Sequence, residues 1–376
     1  MLFTPSPLCL ATSIFLATFI SACGGGTTGS AESDRALSAA PAPAGSPPLS
    51  AAAPAASSPD EPTPAPAMLS AAGVAVDASR IPSGAAGVGY DNLAATSQVP
   101  GPSDGTGAFR TVCAFSHMAF DDPIVYPNQP GKAHLHAFFG NTGANANSTA
   151  ASLANSGNST CRGGTINRTG YWAPAVIDTG NGVPVKPDAL IVYYKTGYNG
   201  IAPSAIQVVP QGLRMIAGDP SGSAPVQWGP THFSCVGPNS DPSTYNLPTD
   251  CAVGNVVWAK VDFPQCWDGV NLDSPDHKSH MAYPSGGACP STHKVAIPAI
   301  TMSVLYTVTD AAAIKRWRLA SDSYDKNLPA GYSAHADWFN GWKPDVMKTW
   351  ITNCDQPAKD CAAHLLGNGL MTLEGQ

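Results

Sequence analysis

Residues 189–198 read ALIVYYKTGY, a run of β-branched and aromatic side chains. Pro187 and Asp188 precede it, and Gly197 and Asn199 close it. Such a run between turn-forming residues predicts a β-strand. The same reading extends outward along the chain. FRTVCAFSHMAF (109–120), AHLHAFFG (133–140), PSAIQVVPQGLRMIAG (203–218), NVVWAKVDF (255–263) and HKVAIPAITMSVLYTV (293–308) are further strand candidates. Helical candidates are few: TAASLANS (149–156), TDAAAIKRWRLAS (309–321) and ADWFNGWKPDVMKTWITNC (336–354). Pro344 suits the start of that last helix, because an interior proline would break it. The expectation is a mostly-β fold. It is a single large β-sandwich or jelly-roll-like domain, loop-rich, with few short helices.

The N-terminal third has a different character. Residues 9–23 form the apolar run CLATSIFLATFISAC, which is too short for a comfortable membrane span. Ile20-Ser21-Ala22-Cys23 resembles a lipoprotein processing site, with Cys23 as the lipidated residue, although no Lys or Arg precedes it. A plain secretory signal or a short anchor is the alternative. From residue 23 to 104 the chain is rich in Ala, Pro, Ser and Gly, a composition that buries too little apolar surface to fold. The expected organisation is therefore a signal over 1–22, a disordered tether over 23–104 and a globular domain over 105–376. That places the domain outside the cytoplasm, lipid-anchored to the cell envelope or secreted, with membrane contact only through the lipid. The net charge is −7 and charged residues make up 12%. The globular part carries no basic footprint for nucleic acid.

Cysteine usage agrees with that compartment. Apart from Cys9 and Cys23 there are Cys113, Cys161, Cys235, Cys251, Cys266, Cys289, Cys354 and Cys361. An even set in an oxidising setting reads as disulfides. Short loops favour Cys235–Cys251 and Cys354–Cys361, leaving Cys266–Cys289 and Cys113–Cys161 by remainder.

The histidines carry the chemistry. His134 and His136 flank Leu135, and residues two apart on a strand face one side. His277 and His280 fall in LDSPDHKSHMAYP, and His335 in GYSAHADWFNGW with Asp337 two residues on. Three functional readings stand beside a purely structural one. The first is a divalent metal such as zinc or copper, held by His134, His136, His280 and His335, with Asp337, Asp262 or Asp276 as ligand or support. The second is metal-free acid–base chemistry by His134, His136, His277, His280, His335 and Asp337, with Tyr283 or Tyr332 nearby. The third is recognition alone: Tyr171, Trp172, Trp267, Trp317, Tyr332, Trp338 and Trp342 offer flat faces for sugar rings. No phosphate loop and no GxGxxG motif after a strand is present.

Five stretches occur in an order that resembles the DUF1996 family. They are DDPIVYPNQPGKAHLHAFFGN, STCRGGTINRTGYWAPAV, VDFPQCWDGVNLDSPDHKSHMAYP, CPSTHKVAIPAI and GYSAHADWFNGW. The resemblance spans Phe109 to Cys361 and marks His134, His136, Tyr171, Trp172, Pro174, Cys266, Trp267, Asp268, His277, His280, Tyr283, His293, His335, Asp337 and Trp342. It implies a secreted protein of a family without a settled reaction. Because fungal members carry wall-associated WSC modules, it also implies a polysaccharide target. The leading expectation is a polysaccharide-directed hydrolase or lyase. In it the histidines and Asp337 form the centre, and Trp267, Asp268, Tyr283, Trp338 and Trp342 line the cleft. The alternative is a non-catalytic envelope protein that binds glycan or metal.

Overall fold

The computed structural model describes residues 68–69, 74–224, 229–238 and 243–375. The signal segment, Cys23 and most of the tether lie outside these residues. Nine strands build the main sheet: β1 (Gly107–Ala119), β2 (His136–Gly140), β3 (Gly170–Pro174), β4 (Ala189–Thr196), β5 (Arg214–Gly218), β6 (Thr231–Val236), β7 (Val256–Asp262), β8 (Ala299–Thr307) and β9 (His335–Phe339). Their order across the sheet is β5-β9-β3-β2-β1-β4-β8-β7-β6. Every pairing is antiparallel, and the sheet is nearly closed. The expected mostly-β, helix-poor, cystine-braced architecture is the one found.

Alternation decides which side chains go inward. On β4, Leu190, Val192, Tyr194 and Thr196 are buried, whereas Ile191, Tyr193 and Lys195 are partly exposed. The inner face of the sheet holds one large apolar core that includes Phe109, Phe139, Tyr171, Tyr194, Trp338, Trp342 and Trp350. Tyr171 and Tyr194 share a hydroxyl–hydroxyl bond of 2.9 Å, and the Trp342 indole N–H donates to Tyr194 at 3.0 Å. The outer face over β2, β3, β9 and β5 carries a second, smaller cluster that includes Phe138, Trp172, Ile216 and Phe339. Four disulfides, Cys113–Cys161, Cys235–Cys251, Cys266–Cys289 and Cys354–Cys361, brace the loops.

Three local expectations are corrected. In 203–218 only Arg214–Gly218 is a strand, and Pro203–Ala205 is a single 3₁₀ turn. Pro203 and Pro210 supply no N–H to a ladder. In 309–321 the helix shrinks to Ile314–Arg316. Trp317–Leu319 instead pairs with Val176–Asp178, beside the Arg316–Asp178 ion pair. In 336–354 the start is strand β9, and helix α1 (Pro344–Trp350) begins at the proline.

The tether boundary also moves. Residues 74–104 pack on the domain: Val76 is buried, Leu93–Ala95 pairs with Leu370–Thr372, and the Ala85 N–H donates to Phe115 O at 2.8 Å.

Candidate metal centre

Register brings the key residues together. His136 on β2 lies opposite Pro174 of β3, and Asp337 of β9 lies opposite Trp172 of β3. His136 and Phe138 therefore share the outer face with His335, Asp337 and Phe339. Residue His335 pairs with Gly218 of β5. A Cβ at Gly218, where φ is +92°, would come within 2.3 Å of Ala334 O, so glycine permits this close approach. His134 precedes β2, and its ring comes within 4.2 Å of the His136 ring and 5.0 Å of the His335 ring, measured between centroids. Leu135 points into the core.

Backbone carbonyls, one in the loop between β1 and β2 and one just before β9, orient two of the imidazoles. The Nδ1–H of His136 donates to Asp121 O at 2.9 Å, and the Nδ1–H of His335 donates to Ser333 O at 2.8 Å. A carbonyl only accepts, so both rings carry their proton on Nδ1 and leave a lone pair on Nε2. These two Nε2 atoms face each other at 3.4 Å, and the buried Nε2 of His134 has no partner. Asp121 anchors the loop through Gly131 N and Ala146 N. Asp322 fixes the opposite wall by accepting from Ser333 Oγ and from Gly331 N.

Two carboxyls complete the cluster. Asp122, Asp337 and His136 present ligand atoms all within 4.8 Å of one another, as do His134, His136 and His335. Asp337 is 1% exposed, and neither of its carboxyl oxygens has a hydrogen-bond partner. Asp122 caps its own turn, accepting from Ile124 N at 2.8 Å and Val125 N at 2.9 Å. Burial raises the Asp337 carboxyl well above the usual range, and the charge of Asp122 pushes it further. Burial also raises Asp122, against the pull of the Val125 and Ile124 N–H groups. The same desolvation lowers His134 well below its ordinary value, His136 to about 3 and His335 to about 4. The imidazoles are thus neutral at neutral pH, the form that ligates metal. The three-histidine group and the two carboxyls that share His136 with each other supply donors of the kind that hold a divalent transition ion.

Sequence reasoning missed Asp122. The signal was present in the Asp121-Asp122 pair that follows the first strand and opens the first family motif.

Other expected site residues lie elsewhere. His280 is buried with both ring nitrogens engaged, one by Ser274 Oγ at 2.9 Å and one by Arg214 O at 2.7 Å, so neither nitrogen is free to ligate a metal. His277 pairs with Asp273 at 2.9 Å. Asp276 is tied to Ser274 and Ser279 in its own turn. Tyr171, Trp172, Trp338 and Trp342 are at most 1% exposed, and Tyr332 stacks on Tyr324 while buried. Such rings pack cores and leave no face for a sugar. Trp267 is half-buried with its indole N–H on Asn271 O, and Asp268 caps the 268–271 turn. Tyr283 is exposed, with its hydroxyl on Asp262 O.

The fold and site define a disulfide-braced β domain with a buried histidine–carboxylate cluster at one end of its sheet. The family model for DUF1996, a domain of unknown function, matches residues 122–342, more than half of the chain, and the chain belongs to that family. No curated protein and no solved structure matches it.

Proposed function

We propose that this chain is a metal-dependent enzyme acting on polysaccharide outside the cytoplasm, as a hydrolase or lyase. His134, His136 and His335 supply nitrogen ligands, and Asp337 and Asp122 supply oxygen. The observation that carries the reading is the facing pair of Nε2 lone pairs beside the unpartnered Asp337 carboxyl. Two acceptors held in contact repel unless a cation or proton lies between them. Zinc or copper at such a site supplies Lewis acidity and lowers the pKa of a bound water. The protein's own part is to hold the ligands, exclude bulk water and keep a carboxyl near the reacting proton.

The centre opens into a cleft of about 300 Å³, with Ser221, Ser321, Ser323 and Tyr126 on its walls. These hydroxyls suit a hydroxyl-rich substrate. The four disulfides suit an oxidising compartment. Lipidation at Cys23 would anchor the domain to the envelope.

Elemental analysis of the purified full chain, before and after incubation with zinc or copper, tests the centre. The expected result is an equimolar metal that His136→Ala no longer retains. A wild-type protein that takes up neither ion overturns the centre. Metal-dependent release of reducing or unsaturated ends from soluble polysaccharides tests the reaction, and a metal-loaded protein that releases none from any of them overturns it.

A further inference from the structure

The outward face of β4, β8 and β7 carries a second open hollow, which shares no lining residue with the cleft of the metal centre. Its shape follows from register. Thr301 on β8 lies between Tyr193 of β4 and Asp262 of β7, and Ser303 lies opposite Lys260 of β7. Short side chains on the middle strand make a floor, and long ones on the flanking strands make walls. Two lobes of about 490 and 450 Å³ adjoin and share Lys195, Tyr198, Asp262 and Thr301. The result is an elongated groove, open to solvent, where a small-molecule ligand would need enclosure.

The walls combine aromatic faces with balanced charge. Tyr193 and Trp258 are half-buried, and Tyr198 is 41% exposed. Lys195 lies 4.8 Å from the Tyr198 ring, and Lys260 lies 5.6 Å from that of Trp258. Arg110, Lys195 and Lys260 are offset by Asp104, Asp262 and Asp360, and Arg110 already pairs with Asp360. A balanced set does not concentrate a polyanion. On the floor, Ser303 is 1% exposed and its hydroxyl has no hydrogen-bond partner. A buried hydroxyl left unpaired is unfavourable, and a ligand hydroxyl reaching it would relieve that. Aromatic faces beside paired donors and acceptors match the apolar faces and hydroxyl edges of sugar rings.

We infer that this groove binds a neutral polysaccharide chain. The inference rests on the polysaccharide reading above for its ligand class, and is independent of the metal centre. It gives the enzyme a holding surface apart from the reacting cleft.

The test is affinity electrophoresis and calorimetry of the full chain with a soluble β-glucan, a xylan, an α-glucan and polygalacturonate. Trp258→Ala and Tyr198→Ala are compared with the wild type, with melting temperature as the fold check. Tyr198 is more exposed than Trp258, so its variant keeps the test valid if Trp258→Ala does not fold. The expected result is binding of a neutral chain that either substitution weakens about tenfold or more. Neutral-chain binding that neither substitution alters overturns the groove and leaves the polysaccharide reading standing. Binding of none of these polymers removes both. Preference for polygalacturonate overturns the assignment to a neutral chain.

Discussion

Replacing Asp337 by asparagine changes the charge of the histidine–carboxylate cluster and keeps its shape. Neither Asp337 carboxyl oxygen accepts a hydrogen bond, so the metal-free variant loses no internal bond. Its melting temperature should match or exceed that of the metal-free wild type. Metal changes the comparison. An ion present at about 100 times its Kd stabilises the folded wild type by about 2.7 kcal/mol. For a domain of this size about 2–4 °C accompanies each kcal/mol, so the expected rise is about 5–11 °C. Loss of a charged ligand that weakens binding about 100-fold leaves about 0.4 kcal/mol at the same metal concentration. The rise then shrinks to about 1–2 °C. Scanning calorimetry on chelated protein, with zinc and then copper added back, reads both quantities. Equal rises in the two proteins, or none in the wild type, would refute the assignment. A loss of several kcal/mol in the metal-free variant would show that Asp337 serves the fold instead.

Other positions give independent checks. Burial raises the Asp355 carboxyl well above its ordinary value, and its oxygens have no partner. A raised folded pKa makes its contribution to stability greatest below the unfolded pKa near 3.8 and lost as pH rises through the folded value. Asp355→Asn should therefore stabilise the protein at pH near 7 more than at pH near 4 in urea melts, and a gap that does not change with pH contradicts this. Trp172 is fully buried and stacks on Phe138 at 5.5 Å, so Trp172→Ala should lower stability by about 3–5 kcal/mol. An unchanged melt with weakened glycan binding would instead return Trp172 to a recognition role. His280→Ala should cost about 1–3 kcal/mol through its lost bonds to Ser274 and Arg214. It should leave metal uptake as in the wild type, and loss of the metal would place His280 back in the centre.

The strands were legible where local composition and tertiary demand agree. ALIVYYKTGY became β4, and FRTVCAFSHMAF became most of β1, because each could alternate between core and surface. The failures fall where a neighbour decided. Trp317–Leu319 has a helical-looking context but found an edge to pair with at Val176–Asp178. Residues 74–104 look too poor in apolar groups to fold alone, yet the domain offers them backbone partners.

For the site, His134, His136, His335 and Asp337 were recognisable as residue types in suggestive spacing. Their separation from His277 and His280 was not, since His277, His280 and His335 each lie within a few residues of an aspartate. Hydrogen bonding made the difference: the ring of His280 is consumed by its surroundings, and the Nε2 atoms of His134, His136 and His335 are left facing one another. The burial of Tyr171, Trp172, Tyr332, Trp338 and Trp342 was hidden for a related reason, because residue type does not reveal how a ring packs once strands pair.

By itself the chain's sequence determined strand composition, cysteine complement and family, all of which depend on residues close together or on simple counting. Tertiary structure alone decided which imidazoles meet, that Asp122 joins them, and which aromatic rings reach solvent. The meeting of His136, His335 and Asp337 depends on the pairing of β2, β3 and β9, and a register slip of one residue would turn a slipped strand's side chains to the opposite face.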